Sequence, residues 1–521
     1  MFSFPWWLSL LIGFLSLSEE ILWVRVLGFA YGTAPFVFSF VLACYLVGIA
    51  CGAACGKRLC ARVGNLYAAA ALVLAAAALA DAFTPQLISH FLLPQNPQRL
   101  GVAAIAIALT AALKSVLFPI VHHLGSAAEG ARVGRTVSRI YFGNIIGATL
   151  GPLLTGFVAL DHLNTDECFV LSAGACLLIC LACVVKSGRP QLIAVPAAAA
   201  LLLNGCAAHS ARPGPGSLQL LAFGGPEYLT HFSANRHGVI HTILSRNGDL
   251  VFGGNLYDGM VAVNVDSNAN RLDRLYLLAL LHPHPQRVLA IGLSGGAWVR
   301  AVEGFPGVER IDVVEINPAY LELVRAYPEV AALLADPRVR LHIDDGRRWL
   351  KRNPGERYDL IIQNTTYHWR ANAANLLSRE YLGEARRHLR VGGVLTSNTT
   401  GSFDVLETAA AAFPYAYRYA NFAYASDHPL SPDLTRLQAV LRPDGTPLAA
   451  PGTPPPGSVV AFLSDARLEP ARAFIARRGA SAEVITDDNL LSEYRHGQRF
   501  GPAALQALLP APPAHFEAND P

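Results

Sequence analysis

The sequence predicts a multi-pass α-helical membrane domain joined to a doubly wound α/β domain that is preceded by a small β-region. Three observations predict this. The 521 residues are 52% hydrophobic and only 15% charged, too apolar for a wholly soluble chain. The apolar excess is concentrated before about residue 208, in long uncharged runs. Beyond it, short apolar runs alternate with helical patterns, as in a parallel sheet wrapped by helices. The expected boundaries are 1–210 for about seven spans, 211–217 for a Pro/Gly linker, 218–265 for the β-region, 266–505 for the α/β domain and 506–521 for a loose tail.

The spans are expected near 5–31, 35–56, 64–84, 101–121, 139–160, 168–185 and 191–207, each about the 17–25 residues that cross a bilayer. Lys57, Arg58, Arg62, Arg132, Arg135, Lys186 and Arg189 lie in alternate loops, whereas the opposite loops carry Arg99 and the acids Asp161, Asp166 and Glu167. Positive residues stay inside, so the N-terminus is cytoplasmic. If the seventh span crosses, the following domain is periplasmic. Glu19, Glu20, Arg25 and Lys114 fall inside spans. Charges there are costly unless paired or facing a polar cavity, so they form either a polar path or an ion pair that holds the bundle together. Gly48, Gly52 and Gly56 are spaced by four, as are Gly143 and Gly147, which marks close-packing helix faces. All nine cysteines lie at or before Cys206, so no disulfide framework or zinc spacing is expected in the soluble half. A net charge of +3 without a basic stripe gives no reason to expect nucleic acid.

In the soluble half, HGVIHTIL, the turn Arg246-Asn247-Gly248-Asp249 and LVFGG read as a hairpin, continuing through Tyr257-Asp258-Gly259 into MVAVNV. The organising stretch is 287–315. An apolar strand ends in Gly292-Leu293-Ser294-Gly295-Gly296, a helix follows, and a second strand closes on Glu315. Glycines let a backbone approach a nucleotide, and an acid about 20 residues past the turn accepts from ribose hydroxyls, a Rossmann-like signature. Later strands are expected at 339–343, ending in Asp344-Asp345-Gly346, at 358–362, ending in Asn364-Thr365-Thr366-Tyr367-His368-Trp369-Arg370, at 393–397 and at 459–463. Ligands of such sheets bind beyond the carboxyl ends of the strands, which is where these polar tips lie. His282 and His284 lack acidic or cysteine companions and no metal site is expected. His237 and His241 are expected on one strand face with structural roles.

At these residues the stretch 227–400 resembles the spermidine synthase family of polyamine aminopropyltransferases. The resemblance is carried, in order, by Tyr257-Asp258-Gly259, the Gly turn, Val314-Glu315-Ile316-Asn317-Pro318, Asp336-Pro337-Arg338-Val339, Asp345-Gly346-Arg347, Tyr358-Asp359-Leu360-Ile361 and Leu377-Ser378-Arg379-Glu380-Tyr381. The membrane half is similar to the helical region fused to such domains in many bacteria, through Ser18-Glu19-Glu20-Ile21-Leu22-Trp23-Val24-Arg25 and Tyr141-Phe142-Gly143-Asn144. Thr486-Asp487-Asp488 with Glu493 fits the same fused group. The resemblance implies a class I S-adenosylmethionine-dependent transferase fold in the bacterial inner (plasma) membrane. It implies that Gly292, Ser294, Gly295 and Gly296 line the tail of decarboxylated S-adenosylmethionine. Glu315 would then hold the ribose and Asp345 the adenine amino group, with Asp344 and Gly346 as further cofactor-binding candidates. Tyr257, Asp258 and Asp273 are the acceptor-side candidates. Expected partners are a small-molecule amine or other acceptor, membrane lipid and a second copy in a homodimer.

The chain departs from the family pattern where chemistry is concentrated. The family's Asp-Ser/Thr-Ser/Thr-Asp-Pro run, whose first Asp accepts the amine proton, is replaced by Asn364-Thr365-Thr366-Tyr367-His368. The Gly turn lacks its usual Asp, the family's Gln after Asp258-Gly259 becomes Ala262, and its Tyr-His-Glu is missing. Asn364, Tyr367, His368 and Arg370 are left as the catalytic candidates, with His368 able to take a proton near neutrality and Arg370 able to bind an anion. Three readings follow: aminopropyl transfer to an amine, methyl transfer from S-adenosylmethionine to a non-polyamine acceptor, and a non-catalytic sensor, scaffold or transport-linked protein.

Overall fold

The computed structural model describes residues 3–91, 99–126, 133–210, 215–365, 367–449 and 452–493. The chain divides into two compact units, the first running to Glu227 and including Ala234–Gly238, the second holding the α/β domain.

In the first unit the long helices are α1 (Phe4–Ala30), α2 (Phe36–Arg62), α3 (Leu66–Phe91), α4 (Arg99–Ser126), α5 (Val133–Leu154), α6 (Thr165–Ser187) and α7 (Ala194–Ser210). Among the described residues, five stretches, in α2 to α6, are long and apolar enough to cross a membrane. α1 spans 27 residues but carries Glu19, Glu20 and Arg25, and the apolar part of α7 is shorter. The glycine stripes are contact faces. A Cβ built on Gly52 would stand 2.2 Å from the Ala112 carbonyl oxygen on α4, and one on Gly147 would stand 1.8 Å from that of Leu10 on α1. Only a residue without a side chain permits that approach.

The same bundle buries a polar cluster. The Lys114 ammonium on α4 donates to Glu19 of α1, and to Asp81 of α3 at 2.7 and 3.0 Å. Ser172 on α6 donates to Asp81 at 2.7 Å, while Tyr45 and Trp23 reach Glu19 at 3.4 and 3.3 Å. Lys114, Glu19 and Asp81 are buried, so of the two sequence readings the geometry supports the ion pair that ties helices together. Asp81 was not anticipated. Of the other two expected charges, Glu20 is partly buried and Arg25 donates to the Asn235 carbonyl at 2.8 Å.

A four-stranded sheet follows, β1 (Leu229–Asn235), β2 (Gly238–Ile243), β3 (Leu250–Gly253) and β4 (Leu256–Met260), in sequence order; it belongs to the second unit except for the β1–β2 turn and its flanking residues, Ala234–Gly238, which belong to the first. β4 ends at Met260, so Tyr257-Asp258-Gly259 lies within a strand and the expected continuation through MVAVNV is not one. His237 sits in the turn before β2, off the expected strand face. His241 is buried in β2 with its ring stacked 4.9 Å from Phe252.

After α8 (Asp273–Leu281) come β5 (Arg287–Ile291), α9 (Ala297–Val302), β6 (Arg310–Glu315), α10 (Ala319–Ala326), β7 (Val339–Ile343), α11 (Gly346–Arg352), β8 (Tyr358–Gln363), α12 (Arg379–Arg387), β9 (Leu389–Asn398), α13 (Phe403–Ala412), β10 (Tyr415–Tyr419), β11 (Phe422–Ser426), α14 (Val459–Ser464) and β12 (Glu469–Pro470). The sheet order is β12-β10-β11-β9-β8-β5-β6-β7, parallel from β9 to β7 and antiparallel at β10 to β12. The chain winds from β5 towards β7 and then returns to β8 and β9. Its switch point lies between β5 and β8, where such sheets open a cleft.

Residues 459–463, expected as a strand, are helix α14. Ser458 caps it by accepting the Ala461 N–H at 3.2 Å, and Val459 and Leu463, four apart, share the core face. The β-branched run gave way to the cap and a helical spacing of its buried residues.

Candidate functional site

The turn after β5 is bent so that its backbone faces the switch point. Gly292, Ser294 and Gly296 all take positive φ, 93°, 47° and 78°. A Cβ on Gly296 would stand 2.8 Å from Leu333, so this glycine is needed for both dihedral and space. The Ser294 hydroxyl donates to the Asp258 carbonyl at 2.8 Å, which pins the turn to β4.

Glu315, at the tip of β6, holds the other side. It is 4% exposed and accepts the N–H of Leu293 and of Asn317, each at 2.8 Å. Burial raises its carboxyl to about 7, and those N–H groups oppose the rise. The next residue, Ile316, is 54% exposed, an apolar platform beside the acid that sequence reading did not single out as a site residue. Asp344 follows at the β7 tip, its N–H bonded to the Glu315 carbonyl at 3.1 Å. Asp345 caps α11 by accepting the Arg348 N–H at 2.8 Å, and Gly346 packs under Ile291, where a Cβ would stand 2.6 Å away.

Gly292, Ser294, Gly295, Gly296, Asp258 and Asn364 line one cavity. In it Asp258 accepts the Tyr320 hydroxyl at 2.5 Å. Burial pushes the Tyr257 phenol up to about 12 and raises that of Tyr367, with Arg370 nearby opposing the second shift. Tyr367 has φ 56°, an uncommon conformation, and its ring lies 5.5 Å from Trp369. His368 is anchored to Thr400, whose hydroxyl lies 2.7 Å from Nδ1 and accepts the His368 backbone N–H at 3.1 Å. Arg370 donates to the Gly253 carbonyl at 3.2 Å. Thr366 lies outside the described residues.

Asp273 is placed differently. It is fully buried on Arg271, Asn268 and Tyr419, at 3.0, 2.7 and 2.9 Å, and is not among the residues lining the cavity. The late polar cluster braces the loop beyond β8. Asp487 accepts from Arg347 and Ser378, and Glu493 accepts the N–H of Asn372 and Ala374, both at 2.9 Å. Tyr494, Arg495 and His496, which continue this polar cluster in the sequence, lie outside the described residues. Among the described residues no group of three His, Cys, Asp or Glu is placed to hold a metal.

Residues 276–410, from α8 into α13, match the family model described as spermine/spermidine synthase domain. The polyamine aminopropyltransferase of Agathobacter rectalis is 31% identical over 157 residues, 29% of this chain and 50% of that protein. Spermidine synthase 1 of Hyoscyamus niger is 36% identical over 116 residues, 22% of this chain and 36% of that protein. The chain thus spans half or less of the length of these relatives. The polyamine aminopropyltransferase of Mycobacterium tuberculosis is 27% identical over 497 residues, 88% of this chain and 89% of that protein, so that match extends through the helical half as well. The matched stretch contains the Gly turn and the β6-tip acid, and over it the chain is similar to polyamine aminopropyltransferases and spermidine synthases.

Proposed function

We propose that this protein is a membrane-anchored transferase that moves an aminopropyl group from decarboxylated S-adenosylmethionine to an amine. The observation that carries the reading is the pairing, at the sheet's switch point, of a positive-φ Gly turn with a buried acid that accepts the turn's own N–H. The residues present fit the nucleoside. Nothing lies within 4 Å of a Cβ built on Gly292, leaving room beside the turn for a tail. Glu315 Oε2 accepts the N–H of Leu293 and Oε1 that of Asn317, and a carboxylate has about four acceptor positions, so it can also take ribose hydroxyls. The exposed Ile316 offers a face to the base, with Asp344 and Asp345 beyond it.

The sulfonium supplies an electrophilic carbon and a neutral thioether leaving group. The protein's task is therefore alignment, plus removal of one proton from the amine. Asn364 stands where the family resemblance implies the proton-accepting acid, and an amide cannot fill that role. His368, held by Thr400, is the candidate that takes the proton in its place. Tyr367 and Arg370 shape the same loop, and Asp258 is the acid left to meet an ammonium.

Anchoring rests on the five long apolar helices, and loop charge supports a cytoplasmic N-terminus. Incubating the purified full-length protein with decarboxylated S-adenosylmethionine and a panel of amines is expected to release methylthioadenosine, with an aminopropyl adduct appearing on one acceptor by mass spectrometry. A nucleoside that stays intact with every amine contradicts the reading.

A further inference from the structure

The amide of Asn364 has a fixed direction, set by a chain of side chains that starts at a partly buried cation. Arg274 carries only N–H donors, and its Nη1 donates to Asn421 Oδ1 at 2.7 Å. Asn421 must then pass its nitrogen on, and Nδ2 donates to Asn398 Oδ1 at 2.9 Å. The same Asn398 oxygen accepts the backbone N–H of Thr400 at 2.8 Å, a second donor that cannot be reversed. Asn398 Nδ2 therefore donates to Asn364 Oδ1 at 2.9 Å. Turning any one of these amides would set nitrogen against nitrogen or oxygen against oxygen and leave a hydrogen bond unmade. The arrangement is held at its origin by the Arg274 guanidinium, 5.0 Å from the centre of the Phe422 ring.

The chain ends on Asn364 Nδ2, an N–H donor on a residue that lines the cavity with Gly292, Ser294 and Asp258. β8 and β5 are neighbours, with Gln363 beside Ile291, so Asn364 follows directly alongside the start of the Gly turn. A donor in that position repels an ammonium and attracts an oxygen acceptor.

We propose that Asn364, primed by the Arg274–Asn421–Asn398 relay, seats a carboxylate of the reacting ligands. This rests on the nucleoside pocket of the reading above, and replaces either its decarboxylated cofactor or its simple amine acceptor with a carboxylated one. Two sources offer that group. If the sulfonium nucleoside keeps its methionine carboxylate, the transferred unit is a 3-amino-3-carboxypropyl group. If the acceptor carries it, the acceptor is an amino acid. In both cases the amine nitrogen forms a bond to the carbon next to sulfur, the carbon–sulfur bond breaks with its electron pair going to sulfur, and the amine proton leaves to His368 or water.

The test is calorimetric titration of the full-length protein in detergent with methylthioadenosine, S-adenosylmethionine and its decarboxylated form. It continues with ornithine against putrescine, titrated into protein saturated with methylthioadenosine. An N–H donor facing a carboxylate is a charge-assisted contact, so the expected preference for the carboxylated member of at least one pair is roughly tenfold. Asn364→Asp is expected to reverse that preference. Asn398→Asp, which accepts from both Thr400 and Asn421 and turns the Asn364 amide around, is expected to abolish it without changing the cavity-lining residue. A preference in the nucleoside pair identifies the cofactor as the source, and one in the acceptor pair identifies the acceptor. Wild-type protein that binds methylthioadenosine but favours the decarboxylated nucleoside and putrescine overturns this inference alone. So does a preference that both variants leave intact. Protein that does not bind methylthioadenosine overturns the nucleoside reading itself.

Discussion

Glu315→Gln is expected to weaken methylthioadenosine binding about ten- to a hundredfold, the equivalent of losing roughly 1.5–3 kcal/mol of charge-assisted hydrogen bonding. The carboxylate ties the Gly turn to β6 through Leu293 and Asn317, both at 2.8 Å. A glutamine sets an NH2 group against one of those N–H donors, so the turn loosens and one ribose acceptor disappears together. Affinity is also expected to depend on pH. Burial raises the Glu315 carboxyl to about 7, so ribose acceptance strengthens as pH rises through about 7 and weakens below it. The glutamine variant should lose that dependence. The effect on stability has the opposite sign. The folded state holds the Glu315 proton in the window from the ordinary carboxylate range up to about 7, so this group's contribution to stability falls as pH rises through that window. Titrations at several pH values, run beside thermal unfolding, separate the two effects.

Lys114→Met is expected to destabilise the helical unit by roughly 3–5 kcal/mol, because it leaves Glu19 and Asp81 as unpaired buried carboxylates. Lys114 is 1% exposed and both acids are 0% exposed, so water cannot take over the role of the ammonium. Combining Lys114→Met with Glu19→Gln and Asp81→Asn removes all three charges while keeping polar groups for Ser172, Tyr45 and Trp23. The combined variant is expected to recover most of the loss. Thermal unfolding in detergent measures this, and a single variant that melts like wild type would show that the cluster does not hold the bundle.

The organisation of the α/β domain was legible because each candidate tip follows a short apolar run, and the tips fall at one edge of any parallel sheet built from those runs. Glu315 and the Gly turn were found this way. Asp81 was not, because one carboxylate within an Ala-rich helix barely alters its hydropathy, and its partner Lys114 lies 33 residues further along the sequence. The relay into Asn364 was hidden for a similar reason. Arg274, Asn398 and Asn421 come from α8, the end of β9 and the β10–β11 turn, and only the fold brings them together. Asp273 was misleading in the other direction: an acid in an expected acceptor region that turned inward to Arg271 and Tyr419. The run at 459–463 is too short for periodicity to separate strand from helix, and the Ser458 cap decided it.

A structure of the full-length protein with methylthioadenosine tests the central claim most directly. The account predicts the ribose hydroxyls within hydrogen-bond distance of Glu315, the base against Ile316 near Asp345, and the thioether beside Gly292–Gly296 facing Asn364. A nucleoside bound away from the β5 and β6 tips, with Glu315 still holding only Leu293 and Asn317, would contradict it.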